Sequence, residues 1–177
     1  MSDLFQPRLS DDLVSLRPLQ VEDERDLQRV MADPALWDQH PDDRHLPERF
    51  SLFFTESINS GGALLVSDTQ THEVIGTTRL AACSKDAEFV EVGWTVLAKA
   101  YWGGRYNLAM KQLLVDHLAT HERSALLNIA PGNLRSARAA EKIGGVLASS
   151  THCPQLIDPR PGYLTYVLPV RLSAASA

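Results

Sequence analysis

The sequence predicts an α/β (α+β) domain: a mixed, mostly antiparallel central sheet of six to seven strands flanked by about four helices. Three observations predict it. Strand-like segments follow one another over residues 63–97 with no helix between them, which excludes a purely alternating parallel sheet. A glycine pair then opens a long amphipathic stripe, and a second glycine-closed helix follows one more short apolar run. Finally, 177 residues is the size of one domain with a sizeable core.

The elements follow in order. "LVSLRPL" (13–19) alternates apolar and polar residues and predicts the first strand. "VEDERDLQRVMADPALW" has an acidic first turn suited to the positive end of a helix dipole. Val21, Leu27, Val30 and Met31 fall on one face of that helix, and Pro34 ends or bends it. "WDQHPDDRHLPER" (37–49) is proline-broken and polar, an exposed loop, and a second helix spans Pro47 to Asn59. "ALLVSD" (63–68) and "VIGTTRLAAC" (74–83) form a hairpin around "TQTHE", and "EFVEVGWTVL" (88–97) adds a period-2 strand. In that strand, alternation puts Glu91 and Gly93 on one face and Val90, Val92 and Trp94 on the other.

Met110, Leu113, Leu114, His117 and Leu118 stripe the long helix that follows "YWGGRYN". "ALLNIA" (125–130) is a buried strand, and "PGN" turns into the helix "LRSARAAEKI", with Gly144-Gly145 suited to a left-handed cap. "VLASS" and "GYLTYVLPV" close the sheet. The expected layout is an N-terminal extension (1–9), one domain (10–171) and a flexible tail (172–177).

Composition narrows the function classes. The chain is 44% apolar and 22% charged with net charge −5, ordinary for a globular protein and unfavourable for a general nucleic-acid binder. Its two cysteines, Cys83 and Cys153, form neither a disulfide framework nor a thiolate metal site, which suits a reducing, cytoplasmic setting. The N-terminus lacks the pattern of a signal peptide, and no apolar stretch approaches the about 18 residues of a membrane span, so no membrane association is expected.

The chemistry concentrates at the glycine turn. A helix start leaves its first amides without partners, and together with the helix dipole they attract anions, phosphate above all. Gly103 and Gly104 leave room for a bulky oxyanion to approach the backbone; Arg105 offers a charged donor and Asn107 an N-cap. The turn is neither a P-loop nor a dinucleotide GxGxxG. Elsewhere, His117 and His121 share the spacing of two metal ligands but lack the HExxH glutamate, and the expectation is no metal. Asp42 and Asp43 would attract an ammonium group or simply be solvated; Trp37 and Phe50 would line a pocket or lie in the core.

"EVGW", "YWGG" and "NIAPGNLRSARAAEKIGG", with Asn133, Ser136 and Lys142-Ile-Gly in register, resemble the Gcn5-related N-acetyltransferase superfamily, in particular its ribosomal-protein-alanine acetyltransferase-like branch. "LRPLQVEDERDLQRVMADP" is similar to that family's opening strand and helix, and the resemblance covers about residues 10 to 170. It implies acetyl-CoA as acyl-donor cosubstrate, with its pyrophosphate on the turn Trp102, Gly103, Gly104, Arg105, Tyr106, Asn107 and Leu108. Pantetheine would pair with the strand edge at Thr95, Val96 and Leu97, Asn133 and Ser136 would face the thiol end, and Arg138 would reach a nucleotide phosphate.

The implied reaction is direct attack of a primary amine, from a small molecule or a peptide, on the thioester. Glu91 would be the base or a solvated strand residue; the amide of Val96 would polarise the carbonyl; Ser136 would protonate the thiolate or make a first-turn hydrogen bond; Tyr101 and Tyr106 are further candidate acids. A homodimer is what the superfamily suggests. The sequence departs from the family's turn at Arg105, where a glycine is usual, and at Asn107, where a small residue is usual. That departure motivates a second reading: a catalytically inactive acyl-CoA-binding or regulatory module on the same fold.

Overall fold

The computed structural model describes residues 2–40, 42–158 and 160–170. The expected tail, 172–177, lies outside the described residues. Among the described residues, five helices, α1 (Ser2–Phe5), α2 (Glu24–Met31), α3 (Pro47–Asn59), α4 (Arg105–Thr120) and α5 (Leu134–Lys142), accompany eight strands. The strands are β1 (Leu9–Ser10), β2 (Val14–Pro18), β3 (Ala63–Asp68), β4 (Val74–Ala82), β5 (Phe89–Leu97), β6 (Ser124–Ile129), β7 (Val146–Leu147) and β8 (Leu164–Val167). They form one sheet in the order β1-β2-β3-β4-β5-β6-β8-β7.

The sheet thus has eight strands where six to seven were expected. The extra one is β1, two residues that fold back on β2 through a turn in which the Asp11 carboxylate accepts the amides of Leu13 and Val14, both at 2.8 Å. Two residues are too few for a period-2 signal.

Packing explains most of the other elements. Val14, Leu16, Leu64, Val66, Leu80, Val90 and Val92 face α4, whose Met110, Leu114 and Leu118 complete one core. Leu27 and Met31 of α2, Phe50, Phe53 and Phe54 of α3, and Leu65 build a second core on the sheet's other face. Val21, expected on the buried stripe of α2, is 62% exposed, because the chain there is a 3₁₀ turn rather than α-helix. Arg17 clamps that turn to β2 by a bidentate pair with Asp23, at 2.8 and 2.6 Å. Pro34 opens a separate 3₁₀ turn capped by Asp33, so α2 ends at Met31. Trp37 and Phe50 are both core residues; Trp37 donates Nε1–H to the Met31 carbonyl at 3.0 Å.

All strand pairings are antiparallel except β5 with β6, which run parallel for only three residue pairs, Phe89 with Ser124 through Glu91 with Leu126. Beyond Glu91 the two strands part: β5 continues along β4, whereas β6 continues along β8. The sheet therefore splays open along the C-terminal half of β5.

Candidate functional site

The edge that the splay exposes is shaped by a β-bulge. The register of β4 and β5 shifts between Thr77, opposite Val96, and Arg79, opposite Gly93. Trp94 and Thr95 thus stand against the single residue Thr78. The extra residue is absorbed at Trp94, whose φ of +50° is an outlier for a bulky side chain. The bulge also overturns the expected alternation. Trp94 leaves the Val90–Val92 face and stacks on Arg79, 4.6 Å from guanidinium carbon to ring centroid. Gly76 makes the close approach possible: a Cβ there would overlap the Val96 carbonyl oxygen.

Ten residues after the bulge, the glycine turn starts α4. Gly103 has φ +67°, which glycine adopts without strain, and a Cβ on it would meet nothing within 4 Å. Gly104 is the N-cap and offers no side-chain cap. Asn107 is therefore the third residue of the helix, not its cap. Among the described residues the amides of Arg105, Tyr106 and Asn107 have no acceptor, and the space before them is open. This corner fits a diphosphate: unpartnered N–H groups, a helix dipole and no Cβ in the way. The Arg105 side chain is exposed and makes no hydrogen bond or ion pair among the described residues.

Neighbouring side chains hold the turn. Trp102 donates Nε1–H to the Leu97 carbonyl at 2.7 Å, tying the turn to the end of β5. Tyr106 donates its hydroxyl to Asp68 at 2.8 Å and packs edge-to-face on Tyr101. The hydrogen bond to Asp68 raises the pKa of Tyr106, and burial raises that of Tyr101, so neither phenol readily gives up a proton. Lys142, whose motif the sequence showed but to which no role fell, puts Nζ 3.3 Å from the Gly103 carbonyl.

Across the splay, Asn133 caps α5 by accepting the Ser136 amide at 3.1 Å. That leaves the Ser136 hydroxyl without a partner among the described residues, so the anticipated first-turn bond to it is absent. Arg138 is exposed and lines a cleft of about 430 Å³ with Lys99, Trp102 and Arg135. Arg135 bridges that cleft: it stacks 4.2 Å from the Trp102 ring and donates to the Leu36 carbonyl at 2.7 Å.

Glu91 lies on the other face, half-buried at the last pairing before the splay. Burial raises its pKa, against the opposing effect of a hydrogen bond from Asn128. Asn128 in turn accepts the Thr165 hydroxyl at 2.7 Å, so a side-chain chain crosses β5, β6 and β8. Arg160, held bidentate by Asp158 at 2.9 and 2.6 Å in the loop before β8, also pulls the Glu91 pKa down, against the larger effect of burial. Sequence spacing reaches Glu91 but not Asn128, Arg160 or Arg79, which come to the site from separate segments.

The remaining candidates are paired, exposed or packed elsewhere in ways that leave no metal centre among the described residues. Asp42 pairs with Arg44 at 2.7 Å, and Asp43 is exposed. His117 binds the Leu4 carbonyl and packs against His121, and among the described residues no group of three or more His, Cys, Asp or Glu is placed to hold a metal. Among them, too, no helix is long and apolar enough to cross a membrane.

Comparison with known proteins agrees with this geometry. Residues 14–146 match the family described as the acetyltransferase (GNAT) domain. No curated protein matches the sequence. Among solved structures, the fold is similar to a GCN5-related N-acetyltransferase from Brucella melitensis, with TM-score 0.74 and 14% identity over 92% of this chain and 78% of that one. It is similar to RimJ of Mycobacterium smegmatis in complex with CoA-disulfide, with TM-score 0.63 and 15% identity over 91% and 85%. It is also similar to spermidine N-acetyltransferase from Vibrio cholerae in complex with CoA and spermine, with TM-score 0.62 and 15% identity over 89% and 95%.

Proposed function

The chain belongs to the GNAT acetyltransferase domain family, and on that premise we propose that it transfers the acetyl group of acetyl-CoA to a primary amine of a peptide or small molecule by direct attack. The observation that carries this reading is the conjunction of an open, uncapped α4 start with a splayed strand edge bulged at Trp94. Two of the similar folds hold CoA or a CoA derivative, which supports the same donor here. We read the chain as one of the ribosomal-protein-alanine acetyltransferase-like branch, a reading supported by the fold it shares with RimJ.

Acetyl-CoA supplies the activated acyl group as a thioester. The amides of residues 105–107 hold the diphosphate, Lys142 and Arg138 add positive charge, and Thr95 to Leu97 offer a strand edge to the pantetheine. The Ala98 amide bonds back to the Ile75 carbonyl and the Thr77–Val96 pair repeats that register, so the Val96 amide points into β4. The amides that point out from this edge donate toward the thioester carbonyl, where negative charge develops. Glu91 removes a proton from the incoming ammonium through water; its raised pKa brings it nearer the working pH, where a base is most effective. The free Ser136 hydroxyl gives a proton toward the departing sulfur.

Calorimetric titration with acetyl-CoA, followed by thiol release across a panel of amines, tests the reading. Glu91→Gln is expected to bind acetyl-CoA as the wild type does and to lower kcat by about 10²-fold or more. Binding without turnover on any amine, with Glu91→Gln indistinguishable from wild type, would instead favour the inactive acyl-CoA-binding module.

A further inference from the structure

Lys111 is the only lysine among the buried described residues, at 4% exposure. It stands in the second turn of α4 and reaches into the sheet, where Nζ donates to Thr95 Oγ1 at 2.8 Å. That hydroxyl shares a 2.8 Å hydrogen bond with Thr78 Oγ1, and Thr78 Oγ1 lies 3.4 Å from the Gly93 carbonyl. Lys111 donates to Thr95, one of the two threonine hydroxyls donates to the other, and the remaining hydroxyl proton faces the Gly93 carbonyl that immediately precedes Trp94, 3.4 Å from Thr78 and 3.5 Å from Thr95.

These residues are the bulge itself: Thr78 is the one residue of β4 that faces two of β5. Among the described residues no carboxylate pairs with Lys111; its partner on β5 is the uncharged Thr95, which in turn bonds the uncharged Thr78 of β4. Burial alone pulls its pKa down to about 7, with no contribution from any charged group. An unpaired buried amine costs stability, which a methionine of similar length would not. The position calls for a hydrogen-bond donor rather than for volume.

We propose that Lys111 is a positioning residue of the acyl-donor site: through Thr95 and Thr78 it fixes the bulge that turns Trp94 to the acceptor face and presents residues 95–97 to the donor. This rests on the acetyltransferase reading above. The lysine acts through the threonines and holds the strand edge in one shape. Its protonation state sets how firmly: the ammonium is a stronger donor to Thr95 than the neutral amine.

Lys111→Met, Thr95→Val and the double variant separate the possibilities. Each single variant is expected to lose acetyl-CoA affinity by about tenfold, the scale of one lost hydrogen bond to a charged group. The double variant is expected to lose no more than either single one, because all break the same chain. Across neutral pH, the difference in log Kd between wild type and Lys111→Met cancels titration of the coenzyme's own phosphate and inflects near pH 7. In the free protein, the tryptophan emission that Trp94→Phe removes is expected to titrate through the same range in wild type and not in Lys111→Met.

Should both single variants bind acetyl-CoA like wild type, or should their losses add in the double variant, the positioning role is overturned and the acetyltransferase reading stands. A wild-type pH titration of Trp94 emission in Lys111→Met overturns it as well, with no ligand involved. Absence of acetyl-CoA binding by wild type fells the acetyltransferase reading itself, and the donor-site role with it.

Discussion

Glu91 and Lys111 approach one bulge from opposite faces of the sheet, and burial moves their proton affinities in opposite directions, the carboxyl up and the amine down. Each has a signed consequence. The folded-state pKa of Lys111, about 7, lies below its ordinary 10.5. The unfolded chain therefore binds more protons between these values, and stability rises with pH across that window. Below it the whole penalty is present, on the order of 5 kcal/mol as an upper bound at about 1.4 kcal/mol per pH unit. Lys111→Met is expected to raise the melting temperature at and below neutrality and to flatten its rise between neutral and alkaline pH, as a pH series of thermal melts would read. For Glu91 the base must be ionised, so kcat/KM is expected to climb with pH through a pKa above the ordinary carboxylate value, a limb absent in Glu91→Gln. Strand alternation made Glu91 legible in the sequence. It did not make Lys111 legible, because a stripe drawn through Met110, Leu114 and Leu118 leaves residue 111 at its margin, whereas a helix laid on a twisted sheet buries a wider arc.

At the scale of elements, the turn before α4 has two requirements in conflict. A helix prefers a side-chain cap, worth a few tenths of a kcal/mol over glycine, and a negative charge at its first turn, worth about 0.5 kcal/mol. An anion site needs those same amides free. Gly104 resolves the conflict in favour of the anion. Its φ of −119° suits any residue, and the nearest atom to a Cβ there is the Trp102 carbonyl oxygen at 3.9 Å, so a larger side chain fits. Gly104→Asp is expected to raise thermal stability slightly, by about 0.5 kcal/mol, while weakening acetyl-CoA binding more than about tenfold through competition for the amides and charge repulsion. Loss of both properties together in paired melts and titrations would mean that the turn serves folding alone. The glycine pair and the order of elements around it were legible, since turn chemistry and periodicity are local. The cap at Gly104 instead of Asn107, and the turnover of Trp94, were not. Both depend on where a neighbouring strand or helix registers, and one inserted residue reverses every face after it.

On the scale of the whole molecule, the sheet consists of two unequal parts, β1 to β5 and β6 to β8, joined within the sheet by three parallel residue pairs. The larger part has a core on each face. The smaller has Ile129, Ala137, Ala140 and Tyr166 as its own cluster, with the Tyr166 hydroxyl bonded to Glu141 at 2.8 Å. Fewer large apolar side chains hold β6, β8 and α5, so this part is the one to open first. Native-state hydrogen exchange is expected to show its amides opening at lower free energy than those of β3 and β4. A donor bound in the splay would touch both parts, with diphosphate on α4 and the thiol end near α5. Acetyl-CoA at about 100 times its Kd stabilises the native state by about 2.7 kcal/mol. If the donor lies in the splay, that gain goes chiefly to the amides of β6, β8 and α5, and the difference between the two parts narrows. Protection spread evenly over the sheet, or confined to the α4 turn, would place the ligand outside the splay and leave the bulge without a role in holding it.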